Sequence, residues 1–216
     1  MATSQPHPLT AERAAVVRAG RQLLATGLVR GTSGNVSLRL GEAVAVSPTG
    51  VPYEDLTPPD VPVVDLAGQP LAGTLRPTSE LALHLAVYRA RPDVAAIVHT
   101  HSMFATVFAV LGEPIPPVHY QLARVGPVGV APYFRYGSEE LAAACVAALG
   151  DSGAALLANH GVVAVGADLA AAMAAAESVE YVAELAWRCR LAGGERVLDG
   201  AQLAAAAEAF RGYGQA

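Results

Sequence analysis

Apolar and polar positions recur with two different periods along the chain, and each period predicts a different element. Residues 10–27 carry apolar side chains at helical spacing and end in glycine, which predicts an amphipathic helix. Residues 36–40 and 43–47 alternate apolar and polar positions around a short turn, which predicts a β-hairpin. Residues 61–65 also indicate a strand, which we expect at a sheet edge or weakly paired because Pro62 has no N–H group to donate.

Short apolar runs and helical segments then follow one another to the end of the chain. Further strands are predicted at residues 94–98, 129–131, 154–158 and 162–165. Further helices are predicted at residues 78–91, 102–111, 138–149, 168–191 and 199–210, with Thr78 or Ser79, Ser138, Asp168 and Asp199 at their starts. Because strands occur as hairpins as well as between helices, we expect an α/β fold with a mixed, mostly antiparallel sheet and helices outside it.

The composition fits one folded domain spanning residues 1–216, of which residues 1–8 are expected to be mobile. Of the 216 residues, 53% are hydrophobic and only 15% are charged, so we expect a large core and an apolar surface that a homo-oligomer would cover. Cys145 and Cys189 lie in apolar helical segments and are expected to be buried free thiols.

The net charge and the apolar runs exclude several classes of partner. A net charge of −5 argues against nucleic acid and against an anionic membrane surface. No apolar run approaches the roughly 18 residues that a membrane span needs. Residues 1–8 carry neither a basic nor an apolar leader, so we expect a cytoplasmic protein.

Three histidines stand beside predicted strands. His99 and His101 follow one apolar run and His160 follows another. Side chains two positions apart on a strand point to the same face, so these imidazoles can form three corners of a divalent metal site. A lone histidine is more often structural, but three neutral imidazoles with an open position form a catalytic zinc pattern.

A carboxylate and several hydroxyl-bearing turns could complete such a site. Glu80 follows Thr78 and Ser79 at a helix start, where a carboxylate favours the helix dipole but could also serve a bound substrate. The segments 31–35 and 47–50 offer further hydroxyl and N–H groups. Taken singly, these segments are plain turns; together they indicate a phosphate site built from neutral donors.

Other candidate residues have a simpler explanation. His84, four residues after Glu80, is best explained by core hydrogen bonding, although it could be a ligand. Tyr133, Phe134 and Tyr136 could line a substrate pocket, but aromatic clusters more often serve packing.

These motifs together resemble the class II aldolase/adducin family, and within it the L-fuculose-1-phosphate aldolases. The resemblance extends from about residue 28 to residue 214. It rests on the segments Gly31–Ser37, Ser47–Gly50, Thr78–Glu80, His99–His101, His119–Tyr120, Asn159–Gly161 and Phe210–Gly214. Two positions depart from the pattern: Thr78 stands where the aldolases often carry serine, and Asn159 stands where relatives carry histidine.

The resemblance implies a three-layer α/β/α sandwich and a homotetramer with active sites between subunits. It implies one Zn²⁺ per subunit, or Mn²⁺ or Co²⁺ instead, held by His99, His101 and His160 with Glu80 near or on the metal. Tyr120 would reach into the neighbouring subunit's site, and Tyr213, on a mobile tail of residues 210–216, would close over the substrate. The phosphate would lie against Gly34, Asn35, Thr49, Gly50, Thr78 and Ser79.

The implied reaction is reversible cleavage of a ketose 1-phosphate, such as L-fuculose 1-phosphate, to dihydroxyacetone phosphate and a short aldehyde such as lactaldehyde. The metal would stabilise the enediolate, Tyr120 would handle the C4 hydroxyl proton, and Glu80 would handle the proton at carbon. The alternatives are a sugar-phosphate epimerase, which typically has aspartate in place of Glu80, and a dehydratase or decarboxylase. A non-catalytic adducin-like interaction module has no need of the histidines and Glu80.

Overall fold

The computed structural model describes residues 9–212, and within this range one sheet of eight strands is flanked by helices. The strands are β1 (Asn35–Leu40), β2 (Ala43–Val46), β3 (Val63–Asp65), β4 (Pro70–Ala72), β5 (Ala96–Thr100), β6 (Val130–Ala131), β7 (Ala154–Leu157) and β8 (Gly161–Gly166). The helices are α1 (Thr10–Ala25), α2 (Leu81–Ala90), α3 (Met103–Leu111), α4 (Glu139–Leu149), α5 (Leu169–Leu191) and α6 (Gly200–Arg211).

The sheet is almost entirely antiparallel, as the sequence predicts. Its strand order is β4-β3-β2-β1-β5-β8-β7-β6, and only β6 and β7 run parallel. The predicted hairpin is present, with β1 and β2 paired from Ser37↔Val46 to Leu40↔Ala43. Strand β5 lies in the middle of the sheet, between β1 and β8, and this position brings its last residues next to both neighbours.

Helices cover both faces of the sheet, so the predicted α/β/α sandwich is confirmed. Alternate residues of each strand point to opposite faces, and each face carries its own hydrophobic core. On one face the core packs against α1, α3 and α5; on the other it packs against α2 and α4. Side chains Asn35, Ser37 and His99 lie on the second face, beneath α2.

The expectation that residues 61–65 form an edge strand is wrong. Strand β3 pairs with β2 on one side and with β4 on the other, and the sequence analysis did not predict β4. Pro62 precedes the strand, so its missing N–H group does not interrupt the ladder, while its carbonyl accepts a hydrogen bond from Val46 at 3.1 Å. Strand β4 has only three residues, Pro70, Leu71 and Ala72, and shows no alternation of apolar and polar positions.

Two further element ends differ from prediction, and both concern the candidate site. Strand β5 continues to Thr100, so His99 lies within the strand and His101 directly after it. Helix α2 has Glu80, rather than Thr78 or Ser79, at its N-cap, and no side-chain cap bond forms there. The Glu80 carboxylate points instead towards His99, which explains why it does not cap its own helix.

The remaining helix starts agree with prediction. Ser138, Asp168 and Asp199 each accept a hydrogen bond from a backbone N–H in the first turn of α4, α5 and α6. Helix α3 is held from outside, because the Glu180 carboxylate of α5 accepts the N–H groups of Phe104 and Ala105 at 2.9 and 2.8 Å. This anchor fixes the backbone immediately after the two histidines of β5.

Other expectations can be compared with the described residues. Cys145 is buried as expected, whereas Cys189 is only half-buried. Across residues 9–212, no helix combines the length and the apolar character that crossing a membrane requires. The expected mobile segment 1–8 and residues 213–216 of the expected tail lie outside the described residues, whereas Phe210 and Arg211 are the last two residues of α6.

Candidate metal centre and active site

Two neighbouring strands bring the three predicted histidines into one cluster. His99 and His101 come from the end of β5, and His160 comes from the turn between β7 and β8. Antiparallel pairing of β5 with β8 runs to Thr100↔Val162, which places that turn beside His101. The ring centroids lie 4.8–4.9 Å apart, and one nitrogen of each ring lies within 4.8 Å of the other two.

The hydrogen bonds of His99 fix which of its nitrogens faces the cluster. Its Nδ1 lies 3.0 Å from the Val162 carbonyl oxygen, which can only accept, so Nδ1 carries the proton. In the neutral ring Nε2 then presents a lone pair, and it lies 3.0 Å from Nε2 of His101. An outward hydrogen bond of this kind is the usual way in which proteins orient a metal-binding histidine.

Glu80 completes the cluster with a buried carboxylate. Its Oε2 lies 3.1 Å from Nε2 of His99 and accepts a hydrogen bond from Nδ2 of Asn35 at 3.0 Å. Its Oε1 lies 3.5 Å from Nε2 of His160. Burial alone would raise the pKa of Glu80, but the imidazoles and the Asn35 amide outweigh it and hold the pKa well below its usual range.

The three imidazoles differ in how readily they accept a proton. Burial, reinforced by the other imidazoles, lowers the pKa of His101 to about 4, and burial with the charge of His99 does the same for His160. Burial would also lower the pKa of His99, but the adjacent Glu80 carboxylate more than offsets this and raises it. His101 and His160 are therefore neutral near pH 7, which is the form that binds a metal.

The cluster fits a divalent cation. Two metal–nitrogen bonds of about 2.0–2.1 Å at a tetrahedral angle place their nitrogens roughly 3.3–3.4 Å apart, close to the 3.0 Å between His99 and His101. Oε1 of Glu80 is buried, and no donor among the described residues hydrogen-bonds to it. Three nitrogen ligands and an unsatisfied carboxylate oxygen form a set that a positive charge would stabilise.

A cavity of about 320 Å³ opens beside the cluster. It brings together Glu80, His101, His160 and all six residues predicted to contact phosphate: Gly34, Asn35, Thr49, Gly50, Thr78 and Ser79. None of its lining residues is lysine or arginine. The N–H groups of Thr49 and Thr78 already donate to the Arg76 and Ser47 carbonyls, so the candidate donors of these two residues are their hydroxyls. The Thr78 hydroxyl also accepts the Glu80 N–H at 3.3 Å and keeps its own proton to donate.

The three predicted aromatic residues form another part of the cavity wall. Tyr133, Phe134 and Tyr136 line it, and their side chains are 63%, 38% and 61% exposed. Such exposure does not fit the alternative that these rings serve core packing. Asn159 also lines the cavity, in a left-handed backbone conformation (φ 55°) that asparagine tolerates better than most residues.

Of the two predicted tyrosines, the one that the structure describes does not line this cavity. Tyr120 lies on a 3₁₀ turn (Tyr120–Arg124), is 51% exposed and stacks on Phe210 of α6 with ring centroids 5.7 Å apart. Tyr213 lies outside the described residues. The part of the site that the structure describes therefore contains the acid–base candidate Glu80 but neither tyrosine.

Sequence reasoning missed Ser37 and Tyr88, and it missed one role of Asn35, in the hydrogen bonds behind Glu80. Asn35 was predicted only as a phosphate contact, yet its side chain also joins Glu80 to His84, whose Nε2 lies 2.5 Å from Oδ1 of Asn35. Behind His84, Ser37 and Tyr88 continue the contacts. The available signal was the spacing, since Ser37 stands two residues after Asn35 and Tyr88 four after His84. The core role predicted for His84 fits its full burial.

The fold and this site define a class of protein. The family model of the Class II Aldolase and Adducin N-terminal domain matches residues 14–187. The chain therefore belongs to the class II aldolase and adducin family, as its motifs predicted, and it is a lyase of the aldolase type.

Individual relatives agree with this assignment over nearly the whole chain. The chain is 39% identical to a 5-deoxy-D-ribulose 1-phosphate aldolase of Bacillus thuringiensis serovar kurstaki, covering 96% of this chain and 99% of the relative. It is 38% identical to an L-fuculose phosphate aldolase of Escherichia coli O6:H1, covering 87% and 88%. The solved structure of an L-fuculose 1-phosphate aldolase matches with a TM-score of 0.91, at 35% identity and 98% coverage of both chains.

We expect Gly161→Ala to disturb the metal centre. A Cβ at position 161 would lie 2.3 Å from the Thr100 carbonyl oxygen and 2.9 Å from Cδ2 of His101, so β8 or His101 must move. The affinity for Zn²⁺ should fall about 10–100-fold, measured by chelator competition on protein whose fold is checked by circular dichroism.

Gly200→Ala is the matched control, because a Cβ there meets no atom within 4 Å. The control should bind Zn²⁺ like the unchanged protein. If Gly161→Ala also did so, the close approach at Gly161 would have no bearing on the histidine cluster.

Proposed function

We propose that the protein is a zinc-dependent aldolase that cleaves a ketose 1-phosphate reversibly to dihydroxyacetone phosphate and a short aldehyde. The observation that carries this proposal is the buried Glu80 carboxylate, 3.1 Å from Nε2 of His99 and 3.5 Å from Nε2 of His160, at the edge of a hydroxyl-lined cavity. Membership of the class II aldolase family supports the same reaction.

The metal would be held by His99, His101 and His160, with Glu80 on or beside it when no substrate is bound. Nitrogen ligands favour zinc, and Mn²⁺ or Co²⁺ are the alternatives. When bound, the metal supplies Lewis-acid stabilisation of the negative charge that develops on the substrate oxygens during cleavage.

The phosphate would be held by neutral donors. The two hydroxyl-bearing turns and the start of α2 all line the cavity, and the positive end of the helix dipole favours an anion beside α2. Gly34 allows the first of these turns to lie against β5, since a Cβ would be 2.7 Å from the His99 carbonyl oxygen. The proposed contacts are Gly34, Asn35, Thr49, Gly50, Thr78 and Ser79.

Two side chains would move the protons. In cleavage, the phenolate form of Tyr120 of a neighbouring subunit takes the C4 hydroxyl proton while the C3–C4 bond breaks and its electron pair stays on the dihydroxyacetone phosphate part. Glu80 then takes up a proton from solvent and delivers it to C3, while Tyr120 returns its proton to solvent. In condensation both transfers reverse. This assignment requires the predicted homotetramer with sites between subunits, and Tyr213 would close over the substrate. The cytoplasmic location also stays a prediction.

The aromatic wall supports a substrate with an apolar end. The sugars in the names of the relatives, 5-deoxy-D-ribulose 1-phosphate and L-fuculose phosphate, both end in a methyl group. Tyr133, Phe134 and Tyr136 offer apolar ring surface at the cavity wall for such a group. L-Fuculose 1-phosphate, which releases lactaldehyde, is the proposed substrate, and 5-deoxyribulose 1-phosphate, which releases acetaldehyde, is the next candidate.

The decisive experiment incubates the Zn²⁺-loaded protein with dihydroxyacetone phosphate and a panel of aldehydes. We expect products from lactaldehyde and acetaldehyde, identified by mass spectrometry and NMR, and loss of activity after chelation with recovery on adding Zn²⁺. Formation of an epimer from a supplied pentulose phosphate, without net cleavage, would favour the epimerase alternative. Purified protein unable to bind a stoichiometric divalent metal would reject the enzyme proposed here.

We expect Glu80→Gln to keep the fold and, when loaded with excess Zn²⁺, a near-normal Zn²⁺ content, although its Zn²⁺ affinity is weaker. The cleavage rate should fall by about 10²–10⁴-fold, because the amide cannot transfer the proton at C3. The measurements are elemental analysis and a coupled assay of dihydroxyacetone phosphate. Cleavage at the unchanged rate would show that Glu80 is not the acid–base group.

We expect Tyr120→Phe to slow cleavage while the oligomer, measured by light scattering, persists. If Tyr120 serves a neighbouring site, mixing denatured Tyr120→Phe and Glu80→Gln chains and refolding them together should make about a quarter of the sites complete. Activity in the mixture above that of either variant alone would support the shared site, and no gain would place Tyr120 outside the neighbour's reaction.

A further inference from the structure

Strand β1 and helix α2 interleave their polar side chains on the buried side of the site. Asn35 and Ser37 stand two residues apart on β1, while Glu80, His84 and Tyr88 stand four apart along α2 and its cap. Four helical residues rise about 6 Å and two strand residues about 6.6 Å, so side chains from the two elements can alternate in one row.

A continuous series of hydrogen bonds follows this row. From Glu80 it passes to Asn35 (3.0 Å), to His84 (2.5 Å), to Ser37 (2.6 Å) and to Tyr88 (2.7 Å). All five residues are buried, with 5% exposure or less. A row of five polar side chains in a core is costly unless every member is satisfied, and here each bonds to the next.

The donors in this row all point towards Glu80. Its ionised carboxylate only accepts, so Asn35 must present Nδ2 to it and Oδ1 to His84. Nε2 of His84 therefore donates, and the neutral ring leaves Nδ1 to accept from the Ser37 hydroxyl. Burial lowers the pKa of His84 to about 3, which keeps the ring neutral. Ser37 in turn accepts from Tyr88, whose hydroxyl burial keeps protonated by raising its pKa.

We propose that His84 is a positioning residue for the reaction: by donating to Oδ1 of Asn35 it locks the Asn35 amide so that Nδ2 holds the Glu80 carboxylate in its catalytic orientation. Without that donor the amide could turn over and present Oδ1 to the carboxylate, which would repel it. Oε1 would then leave its place beside His160. The inference rests on the proposed function, because it concerns the proton transfer assigned to Glu80.

The geometry offers a matched pair of variants. In His84→Gln the side-chain amide can reach the place of Nε2 and donate to Asn35. In His84→Asn the shorter amide reaches only the place of Nδ1, so it can keep the contact with Ser37 but loses the one with Asn35. A role in stability alone predicts similar behaviour of both variants, whereas the positioning role predicts a difference between them.

The test measures two quantities on folded, Zn²⁺-loaded protein and on metal-free protein. The first is the rate at which the hydroxymethyl proton of dihydroxyacetone phosphate exchanges with deuterated water, followed by NMR. The second is Zn²⁺ affinity by chelator competition. His84→Asn should exchange about 10–100-fold more slowly and bind Zn²⁺ more weakly, with the KM for dihydroxyacetone phosphate within about twofold. His84→Gln should recover most of both losses.

Equal exchange rates and equal Zn²⁺ affinities in the two variants would overturn the inference. If neither variant folds, Tyr88→Phe decides, because it removes the last donor of the row together with the longer contact of the same hydroxyl, 3.4 Å to the Ala95 carbonyl oxygen. It should slow exchange about two- to tenfold, and an unchanged rate would overturn the inference. Failure of the unchanged protein to exchange the proton would instead reject the proposed aldolase, while the Zn²⁺ affinities would still report on the positioning of Glu80.

Discussion

The buried charge of Glu80 is the constraint on which the surrounding structure depends. Removing a carboxylate from water costs on the order of several kcal/mol unless partners compensate, and here the compensation comes from three parts of the sheet. His99 lies on β5, His160 lies in the β7–β8 turn, and the Asn35 amide lies on β1. Because these partners come from different strands, the carboxylate keeps its charge only where β1, β5 and the β7–β8 turn are correctly placed. The placement of these strands therefore determines whether Glu80 can remain charged in the site.

Much of the fold could be predicted because its signals are local. Two apolar periods indicated the strands and helices, and capping residues such as Asp168 fixed helix starts. The histidines were found for the same reason, since strand alternation alone places His99 and His101 on one side. Prediction failed at two elements for different reasons. The start of α2 was misplaced because the Glu80 side chain contacts the histidine cluster instead of its own helix. Strand β4 was missed because it is too short to show alternation.

The supporting residues could not be predicted because they depend on the packing of two elements. Asn35 and Ser37 follow the period of a strand, while His84 and Tyr88 follow that of a helix. Each spacing is ordinary by itself, and only the contact of α2 with β1 turns the two spacings into one row of hydrogen bonds. The same reason applies to the aromatic wall, whose exposure to the cavity depends on where the loop before α4 returns to the site.

The site divides into a rigid half and a variable half. His99 and Asn35 lie on central strands, and His84 and Tyr88 lie on the buried side of α2, where a small displacement would be costly. The turns proposed to hold phosphate and the aromatic wall lie on loops, which tolerate substitution. Under the proposed function, such a division would let one proton-transfer centre serve sugars that share a phosphate end and differ at the other. The relatives, one acting on a deoxyribulose phosphate and one on a fuculose phosphate, fit this arrangement. The choice of aldehyde should therefore depend on the loops, whereas the bond that breaks depends on the core.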